Sequence, residues 1–184
     1  MKINRLVNLS LLLLTLTSSW YVFATTDPFT VTNNYSGAPT DNLRLMVTQA
    51  WEFMYPSYGT APDYKKAYEL NEKAWSLGHP EGASNIGLIY EKGLGVEKDD
   101  AAALKWYSLA LSSPYHSPQA EIGMVRIILK RTPNQVRLEL ADKYIKAALD
   151  NAMDPKTLWY EERSGFLKEI GILENQLDSL KWQN

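Results

Sequence analysis

The sequence predicts an all-α protein, an α-α superhelix (solenoid) of about four antiparallel helix pairs, and three observations carry that prediction. First, Ala67 to Ala74 (AYELNEKA), Ala103 to Ala110 (ALKWYSLA) and Ala141 to Ala148 (ADKYIKAA) each hold two alanines seven residues apart, and these pairs recur at offsets of 36 and 38. Two small residues at that spacing share one helical face two turns apart, so a neighbouring helix can approach closely there. Leu70, Trp106 and Tyr144 sit between the alanines and would fill the adjacent gap. Second, an apolar periodic stretch precedes each of these helices: Leu45 to Tyr55, Ala83 to Tyr90 and Ala120 to Leu129. Third, the breaks between stretches fall at regular intervals and carry helix-start chemistry. Together these define a helical hairpin of about 36 residues repeated three times.

The helix starts are expected at Asp63, Asp99, Ser117-Pro118, Thr132-Pro133 and Asp154-Pro155, where a short acceptor side chain stands at the N-cap and three carry proline in the first turn. Thr132 with Gln135 also fits a capping box. The resulting organisation is a segment 1–24, an extended lead-in 25–40 rich in Thr, Asn, Pro and Gly, three repeats over 41–154, and C-terminal capping helices over 155–184 forming a divergent fourth pair.

The segment 1–24 has Lys2 and Arg5, an apolar stretch running through Leu14 and Leu16, and small residues at Val22 and Ala24. This pattern predicts a secretory signal cleaved after Ala24, its core being shorter than the roughly 20 apolar residues of a membrane-spanning helix. The expected compartment is the periplasm or the exterior. Removing Lys2 and Arg5 from the 19 basic residues leaves 17 against 21 acidic ones, a mature net charge of −4. A chain of that charge lacks the basic field that nucleic acid or anionic membranes require. The chain has no cysteine, so disulfides, thiolate metal sites, cysteine nucleophiles and lipid attachment through cysteine are all excluded.

The stretch Ala83 to Asp99 (ASNIGLIYEKGLGVEKD) with Ala102 to Ala110 (AALKWYSLA) resembles the Sel1-like repeat proteins, relatives of tetratricopeptide repeats, over one full repeat. Gly87, Tyr90, Gly93, Gly95, Asp99, Ala103, Trp106 and Ala110 carry that match. Gln49 to Gly78 keeps Asp63, Ala67 and Ala74 but replaces the glycine loop by PSYGTAP, and Ser117 to Ala152 keeps Ile122-Gly123, Ala141 and Ala148 but has KRTPNQ there. The resemblance implies a tetratricopeptide-like solenoid that binds other proteins. It offers two jobs for an exported chain: an immunity protein neutralising a phospholipase-like effector of type VI secretion, or an adaptor of an envelope assembly.

The residues supply no enzymatic alternative of equal weight. Gly93 and Gly95 suggest a phosphate loop, but a dinucleotide fingerprint would need glycine where Lys98 stands, and Glu97, Asp99 and Asp100 crowd the helix start where an anion would bind. These glycines are read as a turn with left-handed backbone. His79 and His116, 37 residues apart at equivalent turns, read as repeat-turn residues in preference to a metal or base pair. No catalytic residue, cofactor or metal is assigned, and an envelope enzyme acting on cell-wall material stays the weakest reading.

Binding then falls to exposed side chains. Trp51 to Tyr64 (WEFMYPSYGTAPDY) holds five aromatics where the repeat pattern is most disturbed. Tyr58, in the loop where the pattern has glycine, is the leading candidate for recognition, with Trp51 and Tyr55 beside it. Trp51 and Phe53 are expected to fill the core, and Tyr55 occupies the place of Tyr90. Phe166, Ile170, Leu173, Leu177 and Leu180, spaced 4-3-4-3, draw an apolar stripe that reads as a cap on the last repeat, or else as a seam for self-association.

Overall fold

The computed structural model describes residues 41–57, 59–115, 117–154 and 160–182. The expected leader with its cleavage point at Ala24, the lead-in, Tyr58, His116 and Pro155 lie outside the described residues. Seven helices and no strand are found among those described: α1 (Asp41–Met54), α2 (Tyr64–Ser76), α3 (Pro80–Lys92), α4 (Asp100–Leu111), α5 (Pro118–Leu129), α6 (Gln135–Met153) and α7 (Tyr160–Lys181). They form three hairpins, α1/α2, α3/α4 and α5/α6, stacked through α2 against α3 and α4 against α5. The first helices α1, α3 and α5 also touch in succession, and α7 packs on α6 and α5. Where a fourth pair was expected, the described residues hold the single long helix α7.

The helix starts follow side-chain chemistry in three cases. Asp63 accepts the Lys66 N–H at 3.0 Å, Asp99 accepts those of Ala101 and Ala102 at 2.8 and 3.0 Å, and Asn134 accepts that of Arg137 at 2.9 Å. The last differs from the expected capping box, because the N-cap of α6 is Asn134, two residues beyond Thr132. There the Thr132 carbonyl accepts from Arg137 Nη1, and Gln135 Nε2 donates to Glu139 within the helix instead of reaching back. Asp154 is the C-terminal cap of α6, its N–H donating to the Asn151 carbonyl, and the helix start expected at Asp154-Pro155 runs into 155–159, outside the described residues. Ser117 precedes α5 but caps nothing, since its hydroxyl pairs with that of Ser84 in the previous hairpin.

Ala67, Ala74, Ala103, Ala110, Ala141 and Ala148 are fully buried at the helix contacts. Of the large residues between them, Trp106 is buried and Leu70 and Tyr144 are half-buried. Gly93 ends α3 in the left-handed conformation at φ 70°, and Gly95 repeats it, returning the chain so that the Asp99 N–H donates to the Tyr90 carbonyl. At Gly95 a Cβ would also stand 2.7 Å from the Tyr64 Cβ, so the hinge is packed against the preceding hairpin.

A second glycine device joins consecutive hairpins. A Cβ on Gly87 would come within 2.6 Å of the Tyr107 ring, and one on Gly123 within 2.3 Å. The ring of Tyr107 is thus held between bare backbone of α3 and of α5. On α7, Ile170, Leu173 and Leu177 are buried in the main core, with Phe166 and Leu180 packed against it, so the apolar stripe is covered within the chain.

Candidate functional site

A cavity of about 430 Å³ opens between the first helices of the three hairpins and α7. Arg44, Val47, Thr48 and Trp51 face it from α1, at positions i, i+3, i+4 and i+7 of one helical stripe. Glu81 and Asn85, one turn apart, come from α3, Gln119 from α5, and Gly165, Phe166 and Glu169 from α7. Val47 and Asn85 are buried, and the walls carry aromatic, amide and charged groups together. A concave site of this size and mixed lining suits one or two side chains of a bound segment.

The buried Asn85 is fixed from behind: its Nδ2 donates to Asn71 Oδ1 at 3.0 Å, and Asn71 Nδ2 donates to the Ala67 carbonyl at 2.9 Å. His79, immediately before α3, is 4% exposed and neither ring nitrogen has a hydrogen-bond partner. Burial, and then the charge of Arg44, lower its pKa to about 4, so it is neutral near pH 7.

The wall formed by α7 is held by a buried ionic network centred on Glu91, which is 1% exposed. Tyr107 Oη donates to it at 2.9 Å, Arg126 Nη2 at 2.7 Å and Lys130 Nζ at 3.1 Å. Burial pushes the Glu91 carboxyl up, but the hydrogen bonds and charge of Arg126, aided by Lys130 and Tyr107, prevail and bring it to about 2. Arg126 then reaches outward, its Nη1 donating to Glu169 Oε1 at 2.7 Å. One guanidinium therefore links the α3 carboxylate in the core to the α7 carboxylate at the cavity, satisfying charges that would be costly to bury alone.

Trp51 and Tyr55 are 42% and 44% exposed, their ring centroids 4.7 Å apart at an interplanar angle of 49°. This corrects the expectation that Trp51 fills the core. The buried stripe of α1 is Leu43, Val47, Ala50 and Met54, which leaves Trp51 beside the cavity. Phe53 is half-buried on a small cluster with Met54, Ala67 and Ile89, and Lys66 Nζ lies 4.3 Å from its ring centroid. Tyr55 is more exposed than Tyr90, which packs against the main core. Sequence reasoning missed Arg44, Glu81, Asn85 and Glu169, which carry no local pattern. The Phe166 stripe on α7 was visible, but not which helix it would face.

Among the described residues no helix is long and apolar enough to cross a membrane. Comparison with family models matches the Sel1 repeat at residues 50–79, the end of α1 with α2, and again at 80–114, the α3/α4 hairpin. No curated protein matches the chain. Sel1 repeats are typically non-catalytic scaffolds that bind other proteins. With hairpin-on-hairpin packing of the seven helices among the described residues, the chain carries two Sel1 repeats in a tetratricopeptide-like solenoid, an architecture that implies a protein–protein interaction module.

Proposed function

We propose that this chain acts in the periplasm, after cleavage near Ala24, as a non-enzymatic immunity protein that grips and neutralises a phospholipase-like effector of type VI secretion. The cavity beside the exposed Trp51–Tyr55 pair is the observation that carries the binding part of this reading, because it offers aromatic anchors at the edge of a preformed concave site. The leader-like amino terminus supports the compartment. Resemblance to exported Sel1-like immunity proteins supports the job.

The test is to direct an effector encoded beside this gene into the periplasm, with and without the present chain. Protection of the host and co-purification of the two proteins are the expected results. Unchanged killing together with absence of a complex would sink the immunity reading.

A further inference from the structure

We infer that the cavity is a subsite for an arginine side chain presented by the protein partner. The inference rests on the protein-binding reading above and names the chemistry of the residue captured. Trp51 stands on one wall and Phe166 on another, giving an entering planar cation aromatic surfaces from α1 and α7. Phe166 and Glu169 are one turn apart on α7, so a carboxylate lies next to the second ring.

The charges favour a cation. Two carboxylates line the cavity, Glu81 and Glu169, against one cation, Arg44. Glu169 gives only part of itself to the protein: Arg126 bonds its Oε1, and the side chain remains 41% exposed. Arg126 does not add a spare positive charge, since it is 14% exposed and already bound through Nε and Nη2 to the buried carboxylate of Glu91. His79, beside Glu81, is neutral at pH 7 and adds none either.

Arginine fits this lining better than lysine. A guanidinium is flat, stacks on aromatic faces and spreads five N–H donors in its plane, whereas an ammonium offers a compact, strongly hydrated charge. The carboxylate of Glu169 and the side-chain oxygens of Asn85, Gln119 and Thr48 are acceptors of the kind such a fork needs.

The experiment uses the mature chain and five peptides, acetyl-Ala-Ala-Xaa-Ala-Ala-amide with Xaa as Arg, Lys, Gln, Glu or Phe, titrated while the Trp51 indole N–H resonance is followed by NMR. The Arg peptide is expected to move that resonance and to bind about tenfold more tightly than the Gln peptide. Glu169→Gln and Trp51→Ala should each weaken the Arg peptide by about fivefold or more, and added salt should weaken it further. If Glu169→Gln loosens α7, Glu81→Gln, on the α3 wall, supplies the same charge test. A Phe or Glu peptide binding as well as the Arg peptide, or no saturable Arg binding at millimolar concentration, overturns the proposal. Because the peptides need no effector, these results are independent of the protection assay, and either reading can fail while the other stands.

Discussion

Tyr107 shows how one side chain couples two repeats. Its ring lies between Gly87 and Gly123, and its hydroxyl donates to Glu91. Gly123→Ala would force a methyl group to within 2.3 Å of a fully buried ring. We expect a loss of about 1–3 kcal/mol in denaturant unfolding, the cost of overpacking a closed site. Glu121 makes a second prediction. It is 5% exposed, Asn151 donates to its Oε1, and its Oε2 has no partner. Burial first, helped by the charge of Asp150 and opposed by the Asn151 hydrogen bond, raises its pKa to about 7. Since the folded state holds this proton more tightly than the unfolded chain, with a pKa near 4.5, stability falls as pH rises from about 4.5 to about 7. His79 has the opposite sign: its folded pKa of about 4 lies below the ordinary 6.5, so its contribution is present above 6.5 and lost as pH falls towards 4. The two slopes oppose each other between 4.5 and 6.5. Glu121→Gln should remove the first alone and add up to about 3 kcal/mol at pH 8, measured as unfolding free energy across pH 4 to 8. An unchanged pH profile would mean that the Glu121 carboxyl titrates alike in the folded and the unfolded chain.

At the scale of the element, α7 departs most from ordinary helix design. Gly165 and Gly171 lie inside it, and a Cβ at either would meet nothing within 4 Å. Glycine in a helix interior costs up to about 1 kcal/mol relative to alanine, so Gly171→Ala should stabilise the chain by about that amount, read as a higher midpoint in denaturant. Gly165→Ala should do the same for stability, and because Gly165 lines the cavity it also tests whether the space there is used for binding. Loss of stability in both variants would show that the glycines answer a packing constraint. The elements themselves were largely legible in the sequence. The alanine pairs, the capping aspartates and the glycine hinge act over at most two turns, and Asp63 and Asp99 cap where their residue type suggests. The misplaced start of α6 has a local cause: Asn134 lies beyond Pro133 and captures the Arg137 N–H, while Gln135 turns to Glu139.

At the scale of the whole molecule, the cavity and the exposed α1 rings beside it form the surface on which partner binding is expected. Trp51 lines the cavity and packs against Tyr55, and neither ring is in the buried core. The double substitution Trp51→Ala with Tyr55→Ala should therefore abolish capture of a partner while lowering the thermal midpoint by no more than a few degrees. A large stability loss with binding kept would return both rings to a structural role. The sequence by itself determined the helical hairpin, its period and its hinge, because each depends on residues close in the chain: Gly93 and Gly95 need no distant partner to adopt φ near 70°. Tertiary structure alone decided the cavity. Its walls come from α1, α3, α5 and α7, and the contacts that set α7 in place run from Arg126 to Glu91 and Glu169, separations of 35 and 43 residues. Such pairs leave no periodic trace, since a buried charge finds its partner by where the folded helices bring it and not by spacing along the chain.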